Sequence, residues 1–324
     1  MRKKRSLWQW LLSIVFVIFW AWLWFRSPSQ KPIPRAPVIT SHNSSLAFLW
    51  VHTDYLIASV KDSQMVALGN KLFIIGSASD KELSRLIALD SRTGDILWQY
   101  GDANVNVLTV SANKLFIGEL GGGKVTALNP DTGAIEWSTN GGIGNVTNVL
   151  VRENILYVDT VGGGYFLFDA DTGKILQIIP YTVGEAPNPD IPIWSNHNMN
   201  LQFVGNIGFF QYPTDFPVHK GEIIATNEIS GNQIWTSGSF YAATRLAASP
   251  LGVFVLDSDG KLLRFGTTDG AKDQVIQFTP APNLSNNEGW VYDYYVAVDP
   301  NNKLLFVYLG DSAQLFAFQL PVSP

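Results

Sequence analysis

Residues 86–98 read LIALDSRTGDILW, and variants of this stretch return four more times along the chain. The later copies are VTALNPDTGAIEW at 125–137, YFLFDADTGKILQ at 165–177, IIATNEISGNQIW at 223–235 and the shorter LLRFGTTDG at 262–270. Apart from a few exchanges, each copy has an apolar run, an Asp or Asn, a glycine and a second apolar run. This is the pattern of a β-hairpin with glycine in its turn.

The spacing of the copies predicts a β-propeller. The turn glycines lie 39, 40, 58 and 39 residues apart, and two further short apolar runs precede each hairpin. Four strands in about forty residues, repeated around an axis, are typical of propeller blades. We predict an all-β propeller of six blades, or seven or eight if irregular strands lie within the long insertions. The last unit has only three strands, so Leu46–Val51 is expected to close the ring as its fourth.

Structural roles are predicted for the repeated residues. The Asp or Asn can cap the turn, the glycine can adopt a positive φ, and a tryptophan four residues later can pack between blades. No copy continues into the spacing of a calcium-binding loop, which favours turn capping over metal binding. The repeat positions are Trp50, Asp90, Gly94, Trp98, Asn129, Gly133, Trp137, Asp169, Gly173, Asn227, Gly231 and Trp235.

A membrane anchor is predicted near the start of the sequence. Residues 7–25 form an uncharged apolar run that would reach about 28 Å as a helix, close to the thickness of a bilayer core. A cleaved signal peptide is the alternative, but its apolar region is shorter and ends in small residues. The basic residues 1–6 are expected in the cytoplasm. Residues 26–44 then form a Pro-rich stalk, and residues 45–320 form the propeller outside the cytoplasm of a single-pass membrane protein.

Composition excludes several kinds of function. The chain has no Cys, which excludes disulfides, thiolate catalysis and Cys-ligated metals. Residues 1–35 hold seven of the 22 Lys and Arg and none of the 27 Asp and Glu, so the body is strongly acidic and nucleic-acid binding is not expected. The four His lack a short metal-ligand spacing, and no Gly-x-Ser-x-Gly motif occurs. Without a catalytic constellation, a non-enzymatic role is favoured.

The repeated [Asp/Asn]-x-x-[Thr/Ser]-Gly-x-x-x-Trp hairpin resembles the pyrroloquinoline-quinone-type repeats of quinoprotein-like β-propellers, over most of residues 46–319. That superfamily includes quinone-dependent dehydrogenases and the lipoprotein scaffold of the outer-membrane barrel assembly machinery. The dehydrogenases are larger, eight-bladed proteins that hold the quinone with calcium. This chain departs from them in size and in having no Cys, and no residue matches their quinone or calcium ligands. We therefore expect no cofactor.

The long insertions indicate where a binding site lies. All of them fall into the two loop classes that emerge on one face of a propeller: Ser79–Arg85, Pro180–Met199, Tyr212–Lys220 and Thr279–Trp290. Long loops on a rigid scaffold often bind partners. Two converge on the fourth blade, and the predicted binding residues are Asp190, Trp194, His197, Tyr212, Asp215, Phe216 and His219. Alternatively, these residues pack the loops onto the ring, or the His and Asp side chains form a metal or acid–base cluster.

These observations predict a membrane-anchored, extracytoplasmic propeller that binds a protein or small ligand through its long-loop face. The alternative is a quinoprotein-like oxidoreductase or another enzyme with a site in the central channel.

Overall fold

The computed structural model describes most of the predicted propeller. The described residues are 38–41, 46–53, 56–57, 65–77, 85–101, 105–111, 113–139, 141–161, 164–180, 200–215, 220–282 and 294–321. All of them belong to the second of two units into which the chain divides, Pro37–Pro324. The predicted cytoplasmic tail, the anchor and the first part of the stalk lie outside these ranges. Within them, no helix has the length and hydropathy needed to span a membrane.

The described residues form 27 strands. Three come first: β1 (Val38–Ser41), β2 (Ala47–His52) and β3 (Leu56–Ile57). Blades 1 to 3 contain β4 (Val66–Leu68), β5 (Lys71–Ser77), β6 (Arg85–Asp90), β7 (Ile96–Tyr100); β8 (Val105–Val110), β9 (Leu115–Glu119), β10 (Val125–Leu128), β11 (Ile135–Ser138); and β12 (Asn145–Arg152), β13 (Ile155–Val161), β14 (Gly164–Asp169), β15 (Ile175–Ile179).

Blades 4 to 6 follow in the same way. They contain β16 (Asn200–Val204), β17 (Ile207–Asp215), β18 (Lys220–Asn227), β19 (Gln233–Thr236), β20 (Phe240–Tyr241); β21 (Ala247–Ser249), β22 (Gly252–Leu256), β23 (Lys261–Phe265), β24 (Lys272–Thr279); and β25 (Tyr294–Asp299), β26 (Leu304–Leu309), β27 (Gln314–Gln319). A single 3₁₀ turn, Gly310–Ser312, joins the last two strands.

These strands form six antiparallel sheets, one per blade, which confirms the prediction of an all-β, six-bladed propeller. In each blade the second and third strands are joined at the same edge from which the chain passes to the next blade. We call that edge the long-loop face. The opposite edge, the turn face, carries the hairpin turns between third and fourth strands. Neighbouring first strands contact each other around the axis at five of the junctions, as β4 does with both β8 and β25.

The ring of blades is closed by the N-terminal strand β2, which pairs with the last strand of the propeller. In the sixth sheet the order is β2, β27, β26, β25, so the N-terminal strand β2 supplies the outer strand that the last repeat lacks. Trp50 pairs with Ala317 and Val51 with Phe316. This closure agrees with the strand predicted at residues 46–51.

The predicted stalk overlaps the propeller. Residues 38–41 form β1, which pairs antiparallel with Ile276–Thr279 of β24 and so adds a fifth strand to blade 5. The sequence assigned these residues to an extended linker because prolines surround them. Their VITS sequence instead has the β-branched composition that suits a strand edge.

The turns are held by the repeated polar residue. Asp90 Oδ1 accepts hydrogen bonds from the backbone N–H groups of Arg92 at 2.8 Å and Thr93 at 3.0 Å. Asn129 and Asn227 cap their turns in the same way. These side chains therefore act as turn caps, the role that their spacing predicted.

Five buried apolar clusters join neighbouring blades. They link blades 1 and 2, 2 and 3, 4 and 5, 5 and 6, and 6 and 1. Representative pairs within the clusters are Phe73 with Leu115, Phe116 with Phe168, Phe209 with Val255, Phe254 with Val307, and Phe306 with Leu72. Among the described residues no buried cluster joins blades 3 and 4. In the described part of the chain, this is the one junction at which no buried apolar cluster is found.

Tryptophans fasten four of the six junctions. Each lies on the outer strand of one blade and donates its indole N–H to a backbone carbonyl in the hairpin turn of the next. The four pairs are Trp50 with Ser91 at 3.1 Å, Trp98 with Pro130 at 3.2 Å, Trp137 with Ala170 at 3.0 Å and Trp235 with Thr267 at 3.0 Å. Within the described ranges, no tryptophan does so at the junction of blades 3 and 4 or at that of blades 5 and 6.

Candidate functional site

The junction of blades 3 and 4 is where the described structure departs most from its own repeat. The 58-residue spacing between turn glycines falls here, because residues 180–199 are inserted between β15 and β16. Blade 4 also has the longest central strands of the ring, β17 and β18. The sequence predicted that the binding site would lie at this part of the molecule.

Asp190, Trp194, His197, Phe216 and His219 lie outside the described residues.

Two of the predicted binding residues, Tyr212 and Asp215, lie in a strand. Tyr212 and Asp215 belong to β17 rather than to a loop, pairing with Glu222 and Lys220 of β18. The predicted insertion 212–220 is therefore largely a hairpin extension, because the strand continues through Pro213 with a register shift. Gly221 of this extension pairs with Phe240 of β20 as well as with Pro213.

Alternating burial identifies the half-buried side chains of the two blades that face this junction, which we call the cleft. Along β14, Phe166 and Phe168 are buried in the cluster shared with blade 2, whereas Tyr165 and Leu167 are only half-buried. Side chains alternate between the faces of a strand, so the half-buried set faces blade 4.

The same alternation occurs across the cleft. In β18, Ile223 and Ala225 are buried against blade 5, and Ile224 and Thr226 are half-buried toward blade 3. In blade 1, by contrast, the four central residues of β6 are all buried. Both walls of the cleft therefore keep partial access to solvent.

Arg152 bridges this cleft at the turn face. Its Nε donates to Glu228 Oε1 at 3.0 Å, and its Nη2 donates to Glu228 Oε2 and to the carbonyl of Gly205 at 3.3 Å. The guanidinium also lies 4.8 Å from the centre of the Phe203 ring. A bidentate pair with a cation–π contact is a strong way to fasten an interface that lacks an apolar core.

Tyr157 lies on the second strand of blade 3 near this bridge. Burial raises the pKa of its hydroxyl, and the charges of Glu153 and Glu228 add to the effect. The phenol therefore stays protonated at neutral pH and remains a hydrogen-bond donor.

Amide side chains on a first strand and on a second strand bond to the backbone of the next blade. Asn106 Nδ2 donates to the carbonyl of Val146 in blade 3 at 2.8 Å. Gln211 Nε2 donates to the carbonyl of Thr244 at 2.9 Å, and its Oε1 accepts from the N–H of Leu246 at 2.8 Å. These buried polar groups serve the packing of one blade on the next.

A few buried acceptors have no hydrogen-bond donor in the described part of the chain. They are Asn106 Oδ1, Glu119 Oε1 and Gln314 Oε1. Lys124 Nζ lies 3.9 Å from Glu119 Oε1, which makes a loose ion pair. Glu119 and Gln314 both lie at the long-loop end of their strands, so this end of the ring offers polar acceptors.

The described residues do not fit a calcium-bound quinone, the cofactor that the dehydrogenase resemblance implies. Calcium needs six to eight oxygen ligands. The buried carboxylates nearest the long-loop face, Glu119, Asp159 and Asp257, belong to three different blades. Asp257 already accepts the N–H groups of Asp259 and Lys261 in its turn. Within the described ranges no three acidic or His side chains converge.

Sequence reasoning missed the open junction, although a signal for it was present. Gln177 occupies the position that holds tryptophan in the other complete hairpins, and it is exposed. Glutamine thus replaces tryptophan in the repeat that directly precedes the longest insertion, and these two features together identify this junction.

Comparison with known proteins places the chain among repeat propellers. A family model described as outer membrane protein assembly factor BamB matches residues 82–247, just over half of the chain. A quinoprotein ethanol dehydrogenase from Pseudomonas putida is 22% identical over 201 residues, covering 56% of this chain. The match spans only 31% of the length of that relative. Together these matches confirm the resemblance to quinoprotein-type repeats.

Two solved structures are among the matches to this chain. BamB from Moraxella catarrhalis is 15% identical with a TM-score of 0.39, covering 89% of this chain and 99% of that one. A chain in a crystal structure of the mitotic checkpoint complex is 11% identical with a TM-score of 0.53, covering 90% of this chain and 98% of that one. The second likeness indicates a shared fold.

Proposed function

The chain belongs to the family described as outer membrane protein assembly factor BamB, and on that basis we propose that it is a binding and scaffolding propeller. It binds a protein or small ligand through its long-loop face. Residues 7–25 anchor it in a membrane, with residues 1–6 in the cytoplasm and the propeller on the extracytoplasmic side.

The convergence of insertions on one junction carries this proposal. The longest insertion lies in the sequence between Pro180 and Asn200, and the extended strands β17 and β18 of blade 4 end at the same face of the ring as these two residues. The side chains of β14 and β18 that face this junction are only half-buried. A site supported by a rigid ring and open to solvent can take up a partner without unfolding the scaffold.

Deletion of residues 187–198 tests the site. Full-length protein, carrying an affinity tag and purified from its own host's membranes, is analysed by native mass spectrometry for stoichiometric partners. We expect the deletion to abolish partner capture while the circular dichroism spectrum is kept. Arg92→Ala on the turn face is the control and should retain the partner. Undiminished capture by the deletion variant would exclude these loops as the site.

The anchor is tested separately by fractionation. The full chain should stay in the membrane pellet after alkaline carbonate extraction, whereas a variant lacking residues 7–25 should not. Release of the full chain by carbonate would contradict the anchor and leave the binding proposal untouched.

A quinoprotein-like oxidoreductase is the second candidate, favoured by the match to the ethanol dehydrogenase. It predicts a quinone absorption band and a bound divalent cation in protein isolated from its host. A preparation without either one, even after addition of pyrroloquinoline quinone and calcium, would remove this candidate.

A further inference from the structure

The turn of blade 4 has the same form as the turns that receive tryptophans. Asn227 Oδ1 accepts from the N–H groups of Ile229 at 3.0 Å and Ser230 at 2.9 Å. Gly231 has φ +69°, nearly equal to φ +70° at Gly173 in blade 3. The two turns therefore present the same backbone surface to the blade before them.

Of these two turns, the turn of blade 3 is covered by an indole and the turn of blade 4 has no described indole over it. A Cβ added at Gly173 would lie 2.5 Å from the ring of Trp137, and one added at Gly270 in blade 5 would lie 2.7 Å from Trp235. At Gly231 no described atom lies within 4 Å of such a Cβ, and the glycine is exposed. We call the surface over Gly231 the indole socket of blade 4.

The wall of this socket on blade 3 is also preserved. At the other junctions the indole contacts a phenylalanine on the second strand of its own blade, with ring centres 5.7 Å apart for Phe73 and Trp98 and 5.9 Å apart for Phe116 and Trp137. Tyr157 takes this place in blade 3 and is half-buried. Tyr157 of blade 3 and Gly231 of blade 4 thus occupy the positions that the phenylalanine and the turn glycine hold at the junctions with an indole.

The surroundings favour a large apolar group with one hydrogen-bond donor. Ile229, in the same turn, is 82% exposed. The Arg152–Glu228 pair closes the inner end of the cleft. In each turn that is covered by an indole, one backbone carbonyl accepts the indole N–H. It belongs to the residue directly after the Asp, Asn or Gly that begins the turn. In the turn of blade 4 the corresponding carbonyl is that of Glu228, which follows Asn227.

We propose that the rim of the junction between blades 3 and 4 is a binding site for one indole group, brought by a tryptophan of a partner protein. Tryptophan is among the residues most often found as an interface anchor. The site lies at the turn face, opposite the long-loop face, so it does not depend on the proposed function. The segments that hold Trp194 and Trp290 of this chain join blades at the long-loop face, which favours a partner as the source.

The junction of blades 5 and 6 offers no such socket. Gln274 lies four residues after the turn glycine Gly270, as the fastening tryptophans lie after theirs, but it pairs with Leu263, on the face that packs against blade 4. The facing outer strands, β27 and β2, come from the two ends of the propeller and are not joined by a hairpin turn. Gln274→Trp is therefore a matched control for Gln177→Trp.

The test uses the full chain in detergent micelles and a fluorinated N-acetyl-tryptophanamide followed by ¹⁹F NMR. We expect saturable binding beyond that of protein-free micelles, and at least a tenfold loss of affinity in Gln177→Trp, which supplies its own indole. Gly231→Ala should weaken binding several-fold, and Gln274→Trp should not change it. The matching phenylalanine amide, which lacks the N–H donor, should bind several-fold more weakly.

Three outcomes would overturn the proposal. They are no saturable binding by the unchanged protein, equal affinity in Gln177→Trp, or equal loss in Gln274→Trp. Melting temperatures of all variants separate loss of the site from loss of the fold. A rise in probe affinity in Trp194→Ala or Trp290→Ala would show that the chain fills the site itself, which contradicts a partner tryptophan. Unchanged affinity in both variants, and in the deletion of residues 187–198, would support it.

Discussion

The indole nitrogen of Trp137 donates to the backbone carbonyl of Ala170 at 3.0 Å, joining the outer strand of blade 2 to the hairpin turn of blade 3. The same ring lies 5.9 Å from Phe116 in its own blade and 6.4 Å from Phe168 in the next. One side chain therefore makes both a hydrogen bond and aromatic contacts between two sheets.

Removing the indole of Trp137 should destabilise the propeller. We expect Trp137→Ala to lower the free energy of unfolding by about 2–3 kcal/mol, since the side chain is only half-buried. Trp137→Phe keeps most of the contact and should lose about 1 kcal/mol, the typical contribution of a hydrogen bond. Urea unfolding followed by circular dichroism measures both. Equal losses in the two variants would show that the hydrogen bond dominates.

Two glycines with almost the same backbone angles give a matched pair. Alanine at Gly231, where φ is +69° and no described atom is near, should cost about 1–2 kcal/mol for the left-handed conformation alone. Alanine at Gly173, where φ is +70°, should cost at least about 1 kcal/mol more, because its Cβ would meet the Trp137 ring at 2.5 Å. The difference between the two urea midpoints measures this contact. No difference would mean that the ring moves aside freely.

Much of this architecture could be predicted from the sequence because its signals are local and repeated. The turn residues Asp90 and Gly94 fix a hairpin within a few positions, and their recurrence sets the blade count. The pairing of β1 with β24 could not be predicted in this way. Its four residues carry no repeat signal, and their partner strand lies more than 200 residues away in the chain.

The site was only partly predictable, for a similar reason. Insertion length pointed to blade 4, but loop length does not show how strands continue, so Tyr212 was assigned to a loop although it extends β17. The open junction depends on burial across two blades. In the repeats themselves, this junction was marked only by Gln177, which stands where the other complete hairpins have tryptophan.

Closure of the ring depends on β2. Deleting residues 46–52 should unfold the protein or convert it to a state that binds a hydrophobic dye, because Phe306 and Phe318 lose the contacts of Trp50 and Phe48. Deleting residues 38–41 removes only the added fifth strand of blade 5 and should lower the melting temperature by a few degrees. Thermal unfolding with dye fluorescence compares the two. A cooperative, native-like melt of the first variant would contradict closure by β2.

Asp257 and Asp169 should give stability profiles of opposite sign with pH. Burial raises the pKa of the Asp257 carboxyl above its usual value, so the folded state holds this proton more tightly than the unfolded state. Its ionisation therefore costs stability as pH rises from about 4 through the raised pKa. Asp257→Asn keeps an acceptor oxygen for the N–H groups of Asp259 and Lys261 and removes this cost. The stability of the variant relative to the unchanged protein should increase across that range.

Asp169 is the control for that measurement. Hydrogen bonds from the Thr172 hydroxyl and N–H lower the pKa of its carboxyl, so its contribution is present above the usual value and is lost as pH falls through the lowered pKa. Asp169→Asn should therefore be less stable than the unchanged protein at neutral pH and approach it in acid. Urea midpoints between pH 3 and 7 report both differences. Parallel slopes for the two variants would show that burial does not govern the ionisation of Asp257.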